Sequence, residues 1–176
     1  MSEYILNTSN INEWAHILRA GDRVLLSGTI YTARDAAHKR IKSLIEDGGN
    51  LPFELKDSVV YYAGPTPARN GSVIGSIGPT TSSRMDVFSP QLISLGQKAM
   101  IGKGNRSSSV VDAMKEYGAV YFAAIGGAGA LYSECIVDCQ VLAFEELGCE
   151  SVKKLEIKNF PLTVAIDSKG NSLYSV

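Results

Sequence analysis

Short apolar runs alternate with amphipathic segments along the whole chain, and this alternation is the feature that most constrains the fold. The longest run, Ala119 to Ile125 (AVYFAAI), has the composition of a strand buried on both faces. An amphipathic segment from about Ser109 to Tyr117 precedes it and ends at Gly118, a residue typical of helix C-termini. Strands that alternate with helices predict an α/β fold. The chain has 176 residues, 45% of them hydrophobic, which fits a single domain.

Periodicity and turn residues predict the other elements. The further helices are expected over Asn10 to Leu18, Ala33 to Asp47 and Ser89 to Leu95. The further strands are expected over Gly21 to Thr29, Val59 to Ala63, Ser72 to Ile77, Lys98 to Ile101, Val137 to Ala143, Val152 to Ile157, and Leu162 to Ile166 in a hairpin with Ser172 to Tyr174. Asn70-Gly71 is a strong turn signal between two of these strands. Thr32 with Asp35 resembles a helix capping box.

The segment Gly75 to Asp86 (GSIGPTTSSRMD) has the composition of a functional loop. Glycine and proline set an unusual backbone path, and Thr80, Thr81 and the serines after them bring many hydrogen-bond donors into a small volume. Arg84 adds a guanidinium, the side chain best shaped to hold a carboxylate or phosphate with two parallel hydrogen bonds. Composition leaves two interpretations open: an anion-binding loop, or a surface turn with a solvated arginine.

Arg34 and His38 lie on the otherwise apolar face of the helix predicted from Ala33 to Asp47, and Lys39 and Lys42 lie outside that face. An arginine in the first turn opposes the helix dipole, so a nearby anion would compensate it. The alternative is that the side chain of Arg34 extends past the helix end into water.

A third cation, Lys103, lies between two glycines in the turn Gly102 to Asn105 (GKGN) that follows a predicted strand. This turn does not match a nucleotide phosphate loop, because Gly104 replaces the Ser or Thr that would hold magnesium. Lys103 is therefore either solvated or directed at an anion. Arg34, Arg84 and Lys103 all lie where a strand gives way to a helix or turn, the usual ligand edge of α/β domains. Together they predict a site for a dianion.

Composition argues against several other functions. The formal net charge of −1 provides no global field for nucleic acid or an anionic membrane. The first residues, MSEYILNTSN, lack the basic segment and apolar core of a signal peptide. The odd number of cysteines (Cys135, Cys139 and Cys149) suits a reducing compartment, and their spacing favours buried small side chains over metal ligands. We therefore expect a cytoplasmic protein with no metal site of its own.

The residues also lack a complete catalytic set for hydrolysis or redox chemistry, so part of any active site must come from outside this chain. Seven segments occur in order between residues 27 and 174: SGTIYTARDAAHKRI, YYAGPTPA, IGSIGPTTSSRMD, MIGKGN, AVYFAAIGGAGALY, FEELG and FPLTVAIDSKGNSLY. In these segments the chain resembles the beta subunit, or C-terminal domain, of class I iron–sulfur hydro-lyases, the family of fumarate hydratase and L-tartrate dehydratase. Gly129 departs from the alanine expected at its position.

The resemblance implies a swivelling β/β/α domain, with mixed sheets and flanking helices, over residues 1–176. It implies a partner alpha subunit that carries a 4Fe-4S cluster on three cysteines, in a hetero-oligomer. In that family one iron of the cluster acts as a Lewis acid on the substrate hydroxyl. Cationic side chains stabilise the charge that develops when a proton leaves the carbon next to a carboxylate.

Residue-by-residue carry-over implies roles for the candidates. The residues that would bind the small dicarboxylate substrate are Arg34, Arg84 and Lys103. Thr80 would move the proton, and a carboxylate of the alpha subunit would have to activate it because threonine is a poor base. No family role transfers to His38. From its helical position beside Arg34 we expect it, like Thr81, to contact the substrate-binding residues on the side away from the substrate.

The segments YTARDAAH and GPTTSSRMD are closer to the fumarate hydratase branch of the family. The expected activity is therefore the interconversion of (S)-malate with fumarate and water, by a beta subunit that is active only with its alpha subunit. Two alternatives stay open: an L-tartrate dehydratase beta subunit, and a non-catalytic carboxylate-binding module.

Overall fold

The computed structural model describes residues 2–69 and 71–174. Within these residues the strands are β1 (Glu3–Asn7), β2 (Arg23–Thr32), β3 (Val59–Tyr61), β4 (Ala99–Gly102), β5 (Val120–Ala123), β6 (Ile136–Ala143) and β7 (Val152–Ile166). The α-helices are α1 (Ile11–Ile17), α2 (Asp35–Glu46), α3 (Ser89–Ser94), α4 (Ser108–Tyr117) and α5 (Gly129–Glu134). Short 3-10 helices cover Thr8–Asn10, Ser82–Met85 and Glu145–Glu150. The predicted α/β class is confirmed.

The strands form one mixed sheet. Strands β1 to β5 lie side by side in numerical order and run parallel. Strand β7 runs antiparallel to each of its partners, β5, β2 and β6. Because β2 pairs with both β3 and β7, the pairings close a ring through β2, β3, β4, β5 and β7. The sheet therefore has a parallel part and an antiparallel part that are joined at β2 and β5.

The alternation of side chains along β3 explains why two cores form, because successive strand residues point to opposite faces. Val59 and Tyr61 belong to a core shared with Leu155 of β7, between the parallel and antiparallel strands. Val60 belongs to the other core, which contains Met114 of α4 together with residues of α2 and α3. The layers are thus strands, strands and helices, and the loops that follow the parallel strands lie between the two cores at one edge.

Helix α2 buries the face that its spacing predicts. Ala37, His38 and Ile41 are buried, whereas Lys39 and Lys42 are exposed. The first turn of the helix, with Arg34 at its N-cap and Asp35 as its first residue, lies just after the end of β2. It therefore carries polar side chains to the edge of the sheet.

The predicted capping box before α2 is wrong. Thr32 is the last residue of β2, where its hydroxyl lies 3.5 Å from the carbonyl oxygen of Ser151 and accepts a hydrogen bond from the amide of Lys153 (3.2 Å). The strand extends beyond the predicted end at Thr29 because a bulge at Gly28, with φ of +108°, lets pairing with β7 continue. The Thr32 hydroxyl, which local spacing assigned to the helix cap, is therefore used in contacts between β2 and the segment that begins β7.

Two other predicted elements differ from the structure. Residues 72–77 form an irregular loop instead of a strand, and Asn70 of the predicted turn lies outside the described residues. The strands predicted over Val152 to Ile157 and Leu162 to Ile166 are one continuous strand, β7, because β2 pairs with it along most of its length. The predicted hairpin is reduced to a single bridge between Ile166 and Ser172. No helix among the described residues is long and apolar enough to span a bilayer.

Candidate functional site

The loop from Gly75 to Asp86 crosses the edge where β3 and β4 end. The amide of Thr80 donates a hydrogen bond to the carbonyl of Tyr62, one residue beyond β3 (2.6 Å). The amide of Ser82 donates to the carbonyl of Lys103, one residue beyond β4 (2.9 Å). The loop is therefore fixed by its backbone to both strand ends, and its side chains stay available.

Gly102 permits this close approach of the loop to β4. A Cβ on Gly102 would overlap the hydroxyl oxygen of Ser82 and would come within 3.0 Å of the ring of Tyr62. The first glycine of the GKG turn is thus required by packing between the turn and the loop.

Asp35 brings the two predicted arginines together. Its Oδ1 accepts a hydrogen bond from Nε of Arg84 at 2.8 Å, and its Oδ2 lies 3.6 Å from Nη2 of Arg34. Within the described residues, Arg84 uses only Nε in this way, so both of its Nη groups keep their donors for another acceptor. A guanidinium held at Nε presents its two Nη groups to a carboxylate as a fork.

One interpretation of the sequence had the side chain of Arg34 extend into water, and the structure does not show this. Its side chain packs over Gly64, where a Cβ would come within 3.0 Å of Cδ, and its Nε lies 3.4 Å from Oε1 of Glu150. The segment that contains Glu150 is in turn held by Lys153, whose Nζ donates to the carbonyl of Gly148 (3.1 Å). Carboxylates of the chain itself therefore compensate the charge of Arg34.

Nε of Arg34 and Oδ2 of Asp35 are nevertheless buried and lack a hydrogen-bond partner in the described part of the chain. The two ion pairs of Arg34, at 3.4 and 3.6 Å, are too long or misaligned for hydrogen bonds. Buried polar groups are normally satisfied, so this corner of the edge has unused hydrogen-bonding capacity.

Lys103 is exposed on the turn after β4. Its carbon chain lies along the backbone of Gly126, where a Cβ would be 3.6 Å from Cδ and 3.9 Å from Nζ. The ammonium group thus lies between the ends of β4 and β5, at the same edge as the loop. The structure brings the three predicted cations to one edge of the sheet.

Thr80 and Thr81 differ in exposure. Thr80 is half-buried between the ends of β3 and β4, and its side-chain hydroxyl has no partner among the described residues. Thr81 is exposed, forms a backbone bridge with Lys103, and does not cap the 3-10 helix that follows it. Neither hydroxyl has a hydrogen-bond partner among the described residues, and the Thr80 hydroxyl is the better shielded of the two.

His38 is 1% exposed and lies behind Arg34. Nδ1 of the ring is 2.9 Å from the carbonyl oxygen of Arg34, and the ring packs against Tyr62 and Phe88. Burial lowers the pKa of His38 to about 4, so the ring is neutral and donates from Nδ1. Its other nitrogen, Nε2, is buried without a partner within the described residues. His38 therefore contacts the backbone of Arg34, and its supporting role in the site stays a prediction.

Arg106 was missed at the sequence level. Its side chain is 0% exposed, and Nε donates to Oδ1 of Asp86 at 2.7 Å. Burial disfavours the charged form, but Tyr62 and Asp86 outweigh it and raise the pKa of Arg106 above its ordinary value. The sequence does place Arg106 directly after GKGN and Asp86 two residues after Arg84. Nothing in the sequence pairs them, because they are 20 residues apart.

The three cysteines do not fit an iron–sulfur cluster. The thiol of Cys135 is 3.7 Å from the carbonyl of Leu131, Cys139 packs against the core, and Cys149 is exposed. Burial raises the pKa of the Cys135 and Cys139 thiols, which disfavours the thiolate that iron requires. Within residues 2–69 and 71–174, no group of three or more His, Cys, Asp or Glu side chains could hold a metal ion.

The fold and the edge define an α/β domain whose loops place three cations and Thr80 at one edge of the sheet. The family described as Fumarase C-terminus matches residues 2–176. The chain therefore belongs to this family, and the resemblance noted in the sequence is confirmed.

Relatives of two kinds share this similarity. Fumarate hydratase 2 of Leishmania major is 44% identical over 157 residues, which are 88% of this chain and 28% of that protein. The aerobic class I fumarate hydratase of Escherichia coli is 40% identical over 154 residues, 86% of this chain and 28% of that protein. The "Putative L(+)-tartrate dehydratase subunit beta" of Methanocaldococcus jannaschii is 45% identical over 164 residues, 89% of this chain and 84% of that protein. The chain thus spans about 28% of the length of the fumarate hydratases that it matches.

Proposed function

We propose that this chain is the substrate-binding part of a hydro-lyase that interconverts (S)-malate with fumarate and water, and that it works with a partner subunit. The observation that carries the proposal is the convergence of Arg34 and Arg84 on Asp35 at the edge that also holds Lys103 and Thr80. The named fumarate hydratases and the tartrate dehydratase subunit support the reaction class.

The cations suit a small dicarboxylate. One substrate carboxylate binds the two Nη groups of Arg84, which Asp35 leaves available, and Arg34 lies beside it. Lys103 faces the other end of the ligand as a point charge. Removing a proton from the carbon next to a carboxylate adds charge to that carboxylate, and the fixed cations stabilise the added charge.

Thr80 moves the proton in this proposal. Its hydroxyl is half-buried and unpaired in the described residues, and the backbone bond to Tyr62 fixes its position. Threonine at its ordinary pKa holds its proton, so a carboxylate of the partner must accept that proton. His38 stays neutral and holds the carbonyl of Arg34 in place.

The partner would also supply the 4Fe-4S cluster, which the cysteines of this chain do not fit; when bound there, the cluster would act as a Lewis acid toward the substrate hydroxyl. The tartrate dehydratase relative is named as a beta subunit, which supports a separate partner. The fumarate hydratases are far longer than the matched region, so in them the remaining part lies on the same chain. Cys149 is exposed, Cys135 and Cys139 are partly buried, and none of the three forms a disulfide. Free cysteines agree with a cytoplasmic location for the complex.

Exposed apolar side chains flank the cationic edge and suit the same partner. Val87, after the loop, is 77% exposed, and Ile125, after β5, is 73% exposed. Leu131 of α5, which begins shortly after β5, is 65% exposed. Large exposed apolar side chains beside an incomplete site are typical of a surface that another chain covers. We propose that the cluster-bearing subunit covers them.

L-tartrate is the second candidate substrate, because the tartrate dehydratase relative matches at 45% identity and over 84% of its own length. Tartrate differs from malate by one hydroxyl. Both are dicarboxylates, so the same cations would bind either.

The test is anaerobic co-expression with a chain that carries three cluster cysteines, followed by turnover assays with (S)-malate and L-tartrate. We expect malate turnover to dominate and Arg84→Ala to reduce kcat/KM by about 10² to 10³-fold. Arg40→Ala, an exposed arginine that pairs with Glu146, is the matched control and should leave turnover unchanged. Preference for tartrate would favour the second candidate. A monomer with no affinity for the partner, or full activity in Arg84→Ala, would overturn the proposal.

A further inference from the structure

Arg106 is a buried cation that the proposed reaction does not use. It follows the turn after β4, and its side chain is fully inaccessible to water. An arginine taken out of water is costly unless each of its donors finds an acceptor. Its contacts therefore show what the burial accomplishes.

Every part of the guanidinium is engaged. Nε donates to Oδ1 of Asp86 at 2.7 Å, and Nη2 donates to Oγ of Ser89 at 2.7 Å. Nη1 lies 3.3 Å from the sulfur of Met100. The group also lies between two aromatic rings, 5.3 Å from the centre of Tyr62 and 5.0 Å from that of Tyr121.

The contacts with Asp86, Tyr62 and Tyr121 lead to the loop at the cationic edge. Asp86 is two residues beyond Arg84, and its second oxygen accepts the amide of Ser107 at 2.6 Å. This carboxylate therefore ties the end of the loop to the start of α4. The carbonyl of Tyr62 accepts the amide of Thr80, so the ring under Arg106 belongs to the residue that fixes the Thr80 backbone.

Tyr121 makes the third connection. Its hydroxyl donates to the carbonyl of Gly104 at 2.8 Å and lies 2.9 Å from Oγ of Ser82, whose hydroxyl can donate in return. Burial raises the pKa of Tyr121, so the hydroxyl keeps its proton for this bond. The turn that carries Lys103 and the loop that carries Thr80 are thus joined through one phenol that packs on Arg106.

We propose that Arg106, with Asp86, is a positioning residue that sets the spacing of Thr80, Arg84 and Lys103 at the substrate edge. A buried ion pair adds little net stability compared with well-packed apolar groups, so its energetic contribution to folding does not explain it. Its contacts do explain it, because they fix two segments that must hold a ligand with a precision well below 1 Å. The expected effect of Arg106 on malate turnover rests on the proposed function.

The test uses variants that separate charge, geometry and stability in the complex with the partner subunit. Arg106→Lys keeps the charge but loses the planar fork. The double variant Arg106→Met, Asp86→Asn removes both charges together, so that no unpaired buried charge remains to unfold the chain. Asp167→Asn is the matched control, because it disturbs a buried polar cluster on another segment.

We expect Arg106→Lys and the double variant each to lower kcat/KM for malate by about 10 to 100-fold, with kcat affected more than KM. Asp167→Asn should lose stability with unchanged kcat and KM. Recovery of wild-type kcat/KM in the double variant would overturn the proposal, because the pair would then serve only the fold.

Hydrogen exchange provides a second readout that does not depend on turnover. The amides of Thr80 and Ser82 are bonded to the two strand ends, so they should exchange about tenfold faster in the double variant, while amides of β2 and β7 keep their protection. Unchanged exchange at both amides would refute the positioning role. If the double variant exchanges faster but the wild-type complex shows no hydro-lyase turnover, the proposed function is refuted and the positioning of the loop stands.

Discussion

Two clusters of buried polar groups, at opposite ends of the parallel strands, differ in how many of their hydrogen bonds are made. Near the amino ends, the buried carboxylate of Asp167 accepts hydrogen bonds from the amides of Lys169 and Asn171 and from the Asn171 side chain. At the carboxyl ends, Nε of Arg34, Oδ2 of Asp35 and Nε2 of His38 are buried without a partner in the described residues. The first cluster is complete in itself, whereas the second is not.

The contrast between the two clusters shows where unused hydrogen-bonding capacity lies beside free donors. A buried polar group that lacks a partner costs roughly 1–3 kcal/mol, so such groups persist only where something outweighs the cost. At the carboxyl edge they lie beside uncommitted donors of Arg84 and Lys103. The side chains of Ser58 and Gln97, before β3 and β4, also bury polar atoms without a partner in the described residues, so unpaired atoms alone do not mark a site. We interpret the carboxyl edge as a site prepared for a ligand because its unpaired atoms lie beside these donors, and the Asp167 cluster as a part of the scaffold.

Thr80→Val carries the largest expected effect. Valine keeps the shape of threonine but removes the hydroxyl, so a proton-transfer role predicts a fall in kcat of about 10³-fold with little change in KM. Thr81→Val is the matched control, since that hydroxyl is exposed and should matter little. Steady-state assays of the complex with (S)-malate check both. Equal losses in the two variants would contradict a special role for Thr80 and weaken the contrast between the ends.

His38 gives the next largest effect, on stability. Because its folded pKa is about 4 and its ordinary value is 6.5, the unfolded chain binds a proton that the folded chain excludes between these pH values. The free energy of unfolding should therefore be fully present above pH 6.5 and fall by roughly 3 kcal/mol as pH drops to 4. Urea unfolding across this window measures the slope.

His38→Gln should remove this part of the slope while the carboxylates still titrate. His16→Gln, which removes the other histidine of the chain, is the control. If the pH dependence is lost in His16→Gln instead, the assignment to His38 is wrong. The burial of His38 at the carboxyl edge would then cost less free energy than its lowered pKa implies.

Asp167→Asn tests the scaffold end. Burial opposes the charged form, but hydrogen bonds from Asn171 and from backbone amides outweigh it and lower the pKa of Asp167. Its contribution to stability should be present above the ordinary carboxyl pKa of about 4 and be lost as pH falls below that value. The variant should be about 2 kcal/mol less stable than wild type at pH 7 and nearly equal to it at pH 2. A loss of activity larger than the loss of folded protein would show that the scaffold end contributes to the site.

The parts of the fold that depend on local spacing were predictable from the sequence. The inward face of α2, the C-terminal glycine of α4 and the core strand β5 follow from periodicity and turn residues, and the structure confirms them. The end of β2 and the continuity of β7 were not predictable, because each depends on pairing with the other strand.

The candidate site divides in the same way. The sequence predicted the cations and Thr80, and the structure places them at one edge, although their roles stay predictions. Asp35, Glu150 and Arg106 were missed as partners of these residues. Glu150 reaches Arg34 from a segment far along the chain, and periodicity carries no information about such contacts.

Asp35→Asn has the smallest expected effect and the most informative sign. Asparagine can keep the bond to Nε of Arg84 while it removes a negative charge from a place where a dicarboxylate binds. If the substrate carboxylate lies beside Asp35, KM for malate should fall about threefold at low salt, and the difference should shrink at high salt because screening weakens it.

Asp112→Asn, an exposed carboxylate paired with Lys115 on α4, is the control for net charge and should change KM little. A rise in KM for Asp35→Asn would mean that the negative charge of Asp35 is needed to hold Arg34 and Arg84 in place. This effect would then exceed the repulsion between Asp35 and the substrate carboxylate. Either change in KM would distinguish Asp35, which is expected to act on a ligand or on the residues that hold it, from Asp167, which is expected to act on the fold.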